Sequence, residues 1–246
     1  MTSLSLPDLT DRCLANEWMD DFSVDEHHLR GALRDLRLIN RLLGGYRATN
    51  TMLDPLLSER SSLRLLDVGT GSGDYLVHLV QRGATFGCRV DATGIDLNPL
   101  TVGLGRAHLD ACLSSALRSQ VRIDIENALR LPYPDNAFDV AHAALFLHHF
   151  DSANAVQLLS EMARVSRMGL VVNDLHRHRL AYLGIWGLSR ALGLAPMVQH
   201  DGPMSVRRGF QRPELATLAH QSGVGAPHIR WHWAFRWTLS TVPTEA

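Results

Sequence analysis

Residues 65–74, Leu65-Leu66-Asp67-Val68-Gly69-Thr70-Gly71-Ser72-Gly73-Asp74, lead an apolar run straight into three alternate glycines. This predicts a buried strand followed by a turn in which bare backbone N–H groups and the start of the next helix face a ligand. One strand–helix–strand unit later comes Gly94-Ile95-Asp96-Leu97-Asn98-Pro99. Its aspartate closes a second apolar strand, where a carboxylate takes both hydroxyls of the ribose of an adenosine-containing ligand. Charge-assisted bonds of that kind are worth roughly 1.5–3 kcal/mol each. A tight strand–helix turn without a ligand accounts for one glycine run, but not for its pairing with Asp96 at this spacing. A dinucleotide site spaces its glycines G-x-G-x-x-G, and counted from Gly69 and Gly71 the third position falls on Asp74. The spacing therefore argues against a pyrophosphate.

The pattern D-x-G-x-G-x-G from Asp67 to Gly73, followed by Ile95-Asp96-Leu97-Asn98-Pro99, resembles the first two motifs of class I S-adenosylmethionine-dependent methyltransferases. The resemblance implies S-adenosylmethionine as cofactor. It puts the methionine part at Asp67, Gly69, Thr70, Gly71 and Gly73, and the ribose at Asp96 and Leu97. Val121-Arg122-Ile123-Asp124-Ile125 alternates as a strand and leads to Glu126-Asn127-Ala128, which the resemblance sets beside the adenine. An amide at Asn127 can still donate to a ring nitrogen and accept from the exocyclic amine. Residues 131–140, Leu131-Pro132-Tyr133-Pro134-Asp135-Asn136-Ala137-Phe138-Asp139-Val140, match the fourth-strand entry of the quinone-biosynthesis type, and Leu145 follows that strand beside the cofactor. The likeness spans about residues 60–175 and thins on either side. It implies a doubly wound, mostly parallel, seven-stranded Rossmann-like α/β sheet. A helical cap is expected over residues 1–60 and the methyltransferase domain over 61–246, with a lid at about 176–212 inserted after the fifth strand.

A chain of 246 residues with 46% hydrophobic content can bury one domain plus a cap. Its net charge of −1 supplies no field that would favour nucleic acid. Cys13, Cys88 and Cys112 lack metal or redox spacing and read as small core residues in a reducing cytoplasm. The amino terminus has no basic stretch followed by an apolar one, so no secretion signal is expected. The longest apolar run, Leu180 to Pro196, is interrupted by Arg190 and is too short for a membrane span. A homodimer is compatible with all of this.

Strands are expected near 63–68, 90–95, 121–125, 138–144 and 169–173, with helices near 73–82, 99–117 and 152–167. That rhythm predicts a parallel sheet covered on both faces, with ligands at the carboxyl ends of the strands. Ahead of it, Ser23 or Asp25 caps a helix that runs to Gly44-Gly45. Arg30, Arg34, Arg37 and Arg41 form a stripe on it, which reads as a solvated face or as the source of a counter-charge for the cofactor carboxylate. Near the end, Ile229, Trp231, Trp233, Phe235 and Trp237 alternate with His228, Arg230, His232 and Arg236. That reads as a strand with a buried aromatic face, part of an antiparallel pair closing the sheet.

Methyl transfer from a sulfonium requires alignment and exclusion of water. An oxygen acceptor also has to lose its proton, since a phenol has a pKa of about 10. Histidine is the natural base. Of the 13 histidines, four sit at strand ends or in the expected lid: His148 and His149 after the fourth strand, His176 after the fifth, and His200. Catechol-type relatives activate hydroxyls with Mg²⁺ held by strand-end acids, but here histidines and a reversed Asn173-Asp174 stand in those places. No metal is therefore expected, and turnover should survive chelation.

Together these features predict transfer of a methyl group to a small apolar aromatic acceptor, at a phenolic oxygen of a specialised metabolite. The segments around Asn173–Arg177 and His200–Arg208 also look like methyltransferases associated with polyketide synthases. Carbon methylation of a quinol or polyketide precursor stays open, as does a cofactor-binding partner subunit without activity. A nicotinamide-dependent oxidoreductase is the remaining alternative.

Overall fold

The computed structural model describes residues 7–243. Its seven strands are β1 (Ser62–Val68), β2 (Arg89–Asp96), β3 (Val121–Ile125), β4 (Phe138–Ala144), β5 (Ser166–Leu175), β6 (His228–His232) and β7 (Arg236–Ser240). They form one sheet in the order β3-β2-β1-β4-β5-β7-β6, with only the pairings of β7 antiparallel. After β3 the chain returns to the far side of β1, so the strand order reverses between β1 and β4. Side loops part there and leave a crevice.

The strands of such a sheet are buried on both faces, and β4 is buried along nearly its whole length. On one face α2 (Gly45–Glu59), α3 (Asp74–Phe86) and α4 (Pro99–Cys112) bring Leu53, Leu57, Leu76, Leu79 and Leu109 against Leu63, Leu65 and Val90. On the other, α6 (Ser152–Val165) and α9 (Arg212–Gln221) cover Leu66, Val68 and Leu170 with Leu158, Leu159, Met162 and Leu218. A third cluster joins α1 (Glu26–Leu42) to α8 (Pro196–Arg208) through Ala32, Ile39, Met197 and Val198. Thus α2 shares the core of the sheet, whereas α1 packs on the elements that follow β5. α7 (Arg179–Ala191) lies beside α8 and keeps only Ser189 fully buried.

Asp25 is the cap of α1, accepting from the His28 N–H at 3.1 Å, and Gly44 takes the left-handed conformation between α1 and α2. Three sequence expectations are corrected. The helix expected over 99–117 breaks at Leu113, which turns extended, and Ser114 starts the short α5 (Ser115–Arg118). The fifth strand starts at Ser166, directly after α6, and is longer than expected. The aromatic alternation from Ile229 to Trp237 is not one strand but a hairpin. Residues 233–235 form its turn, with Phe235 at φ 57°, and Trp231 and Trp233 stay 48% and 66% exposed. The turn resets the alternation, so that Arg236 is buried where a continuous strand would have faced it outward. Of the three cysteines only Cys88 is buried. No described helix is long and apolar enough to cross a membrane.

Candidate active site

The turn after β1 is made by backbone that only glycine adopts freely: φ is +69° at Gly69, +54° at Gly71 and +67° at Gly73. Asp67 anchors it from below, accepting the Thr70 hydroxyl at 2.6 Å and meeting His142 Nδ1 at 2.7 Å. A β-carbon on Gly69 would lie 2.3 Å from the Phe146 ring, whereas on Gly71 it would meet nothing nearer than Leu33 at 3.9 Å. The space over Gly71 is therefore open, as a ligand cradle requires. Asp96 closes β2 and accepts from the N–H groups of Gly71 at 3.1 Å and Asn98 at 3.0 Å. Two backbone bonds fix its carboxylate and leave lone pairs for a diol. Desolvation raises its pKa, opposed by those same N–H groups.

These residues line one end of a cavity of about 770 Å³. Gly69, Thr70, Gly71, Asp96, Leu97, Asn127, Ala128 and Leu145 all stand on its wall. Leu145 holds φ +53° and its N–H donates to the Asn173 carbonyl, which places the turn after β4. Asp67 and Gly73 do not reach this wall; Asp67 lies under it, and Gly73 caps α3 against Ile123. Asp74 does reach it, with the Tyr46 hydroxyl donating to its Oδ2 at 2.6 Å and desolvation raising its pKa. None of the four arginines of the α1 stripe lines the cavity; Asn40, on the same helix, does.

Elsewhere the cavity wall is largely apolar, with Leu36, Leu180, Ile185, Leu188 and Phe235, and is interrupted by His148 and His149. His148 is 2% exposed and its Nδ1 meets Asp174 Oδ1 at 2.7 Å. Burial pushes its pKa down, but the charges of Asp174 and Glu17 override burial and hold it up at about 9. His149 is partly buried, its Nδ1 2.7 Å from Asp20 Oδ1. Burial pushes the Asp20 carboxyl up, yet the bond and charge of His149 bring it to about 2. Of the other two histidines, His176 accepts the Trp231 indole N–H and stacks near His178, and His200 is exposed against Asp201 and Trp18. Neither stands on the cavity wall, although Asp201 and Gly202 do.

Four site residues carry no signal of their own in the sequence. Glu17 and Asp20, in and beside the one-turn 3-10 helix Trp18–Asp20, arrive from far up the chain. Arg208, at the end of α8, binds the His148 and His149 carbonyls and donates to Asp20 Oδ2 at 3.0 Å. Arg12 donates to the His148 and Phe150 carbonyls. Asp201 fixes the same segment by accepting from the N–H groups of Trp18 and Met19. A spacing of Glu-x-x-Asp next to Trp and Met is the only trace of this in the sequence.

Residues 65–169 match the family model described as a methyltransferase domain. The chain is 36% identical over 109 residues to a demethylmenaquinone methyltransferase of Deinococcus radiodurans, spanning 44% of this chain and 41% of that one. It is 29% identical over 215 residues to the enzyme of that name from a Roseiflexus species, covering 76% of this chain and 83% of the relative. Among solved structures it resembles an O-methyltransferase from neocarzinostatin biosynthesis, in complex with S-adenosyl-L-homocysteine and 1,4-dihydroxy-2-naphthoic acid. That likeness has a TM-score of 0.64 at 16% identity, over 93% of this chain and 62% of that one.

Proposed function

We propose that this chain, which belongs to the class I S-adenosylmethionine-dependent methyltransferases, methylates an ionisable oxygen of a small, largely apolar aromatic molecule. The observation that carries the reading is that a single cavity is lined by the Gly71–Asp96 cradle, by apolar side chains and by His148 and His149. Asp96 would hold the ribose, Asn127 and Ala128 the adenine, and the Gly69–Gly71 turn, with Asp67 and Gly73 supporting it, the methionine part. S-adenosylmethionine supplies a methyl group on a sulfonium, whose sulfur leaves with the C–S electron pair as the acceptor oxygen's pair forms the new bond. The apolar walls would exclude water and hold an aromatic acceptor beside the cofactor. His149, with Asp20 fixing its ring, and His148 are assigned to the place where the acceptor's hydroxyl is activated. α7 and α8 act as the lid, over the domain expected from about residue 61, to whose core α2 of the N-terminal cap contributes. The three unpaired cysteines favour a reducing cytoplasm as the setting.

The demethylmenaquinone relatives favour a second reading, carbon methylation of a quinol. Calorimetry against S-adenosylmethionine, S-adenosylhomocysteine and NAD, followed by incubation with methyl-labelled cofactor and a set of naphthols and quinols, separates these readings. Oxygen-methylated product is expected; label on ring carbon selects the second reading. Cofactor binding with no transfer to any acceptor would leave a binding subunit.

A further inference from the structure

Glu17, His148 and His149 bring one ligand atom each to within 4.8 Å of one another on the cavity wall. Resting on the methyltransferase reading above, we propose that these three side chains hold a divalent transition-metal cation, whose free coordination positions take the acceptor's oxygen.

The first ground is orientation. Both imidazoles have Nδ1 on a carboxylate, His148 on Asp174 and His149 on Asp20, each at 2.7 Å. That leaves both Nε2 atoms directed at the same carboxylate: His148 Nε2 is 3.5 Å from Glu17 Oε1, and His149 Nε2 is 4.0 Å from Glu17 Oε2. Metal-binding histidines are held in this manner, by an acid behind the ring that fixes the tautomer.

The second ground is that the facing atoms are unpartnered. Glu17 Oε1 and His148 Nε2 are buried and make no hydrogen bond. At 3.5 Å they are too far apart for the charge-assisted bond of about 2.7–2.9 Å that an imidazolium and a carboxylate would form. Arg208 Nε comes no closer than 3.8 Å to Glu17 Oε1 and does not satisfy it. Two nitrogen or oxygen ligands on a tetrahedral cation, each at about 2.0–2.1 Å, stand about 3.3–3.5 Å apart.

Two nitrogens and one carboxylate suit a borderline cation such as Zn²⁺ rather than Mg²⁺, which takes oxygen ligands. Three protein ligands leave room for one or two more. A phenolic hydroxyl bound there gives its proton to solvent water and keeps its electron pair on an oxygen held by the cation. The hydroxyl is then ionised without an imidazole taking the proton. This reverses the sequence expectation of a metal-free site, which looked for acids at the strand ends and could not place Glu17.

The test uses the full chain, stripped with a chelator and checked for folding by circular dichroism, then titrated with Co²⁺ and followed by its visible absorption. One equivalent is expected to bind with a d–d spectrum of low coordination number, and Zn²⁺ to displace it. Glu17→Gln and His149→Ala should each abolish that spectrum while keeping S-adenosylhomocysteine binding, and Asp20→Asn should weaken Co²⁺ by 10–100-fold, as loss of an outer-shell partner does. Wild-type protein that binds no stoichiometric Co²⁺, or a spectrum unchanged in both ligand variants, overturns the proposal. So does full turnover by the stripped protein in excess EDTA, which leaves the methyltransferase reading standing. A bound cation without methyl transfer to any acceptor would instead sink that reading and leave the metal site in place.

Discussion

Asp96 and the glycines of the turn do separate jobs, and single substitutions pull them apart. The Asp96 carboxylate is already oriented by the Gly71 and Asn98 N–H groups. Asp96→Ala should therefore weaken S-adenosylmethionine by about 2–4 kcal/mol, given two charged hydrogen bonds lost, with the fold kept. Unchanged affinity in calorimetry would remove it from the ribose. Gly69→Ala and Gly71→Ala both force an L-residue into left-handed backbone, at about 1–2 kcal/mol. Beyond that they diverge. A Gly69 side chain collides with the Phe146 ring, so this variant should lose much of its melting temperature. A Gly71 side chain fits the protein and intrudes only on the cavity, so this variant should stay folded and lose more than tenfold in cofactor affinity. If Gly71→Ala melts as early as Gly69→Ala, the turn is needed for packing alone.

At the scale of elements, the N-terminal segment is tied across the cavity by charged side chains, in addition to the packing of Met19 and Val24 on the α1–α8 cluster. Arg12 and Arg208 reach the carbonyls after β4, and Asp201 accepts two N–H groups of the segment. Arg208→Met should take the guanidinium from Asp20 Oδ2 and from the His149 carbonyl, while Arg12 still reaches the His148 carbonyl and His149 still meets Asp20. Removing one partner of a fully buried ion pair costs about 3–5 kcal/mol; Asp20 is only partly buried, so urea unfolding should show a fraction of that loss. Cofactor affinity should barely change, since Arg208 touches nothing near Asp96; a large loss would mean the segment also shapes the cofactor end. The same elements show where the sequence is legible and where it is not. The Gly69–Gly73 turn and Asp96 are readable because each is one contiguous stretch whose backbone needs are written in residue type. Glu17 and Asp20 are not, because they meet His148 and His149 across about half the chain through an arginine on a third element. The β6–β7 hairpin is misread for a related reason: alternation marks a strand, but nothing in Trp233-Ala234-Phe235 resembles a common turn.

On the scale of the whole molecule, the reversal of strand order between β1 and β4 opens the cavity, and α2 and α3 stack against the sheet beside it. That contact contains a proton-sensitive joint. His78 of α3 lies over the Tyr46 ring of α2 at 4.7 Å and is 3.0 Å from the Asn50 amide. Burial, aided by the charge of Arg82, lowers its pKa from 6.5 to about 4. Between those values the unfolded chain takes up a proton that the folded one refuses, so the contribution of His78 to folding stability is full above pH 6.5 and falls as the pH drops towards 4. His108, His176 and His232 are also lowered by burial and add to the same slope. A His78→Gln variant keeps an amide partner for Asn50 but cannot titrate. Urea midpoints measured from pH 7.5 down to 4.5 should therefore fall less steeply in the variant than in the parent, the two curves drawing together as the pH drops. Parallel curves across that range would mean that His78 titrates normally in the folded chain, and that the α2–α3 contact opens to water at this joint.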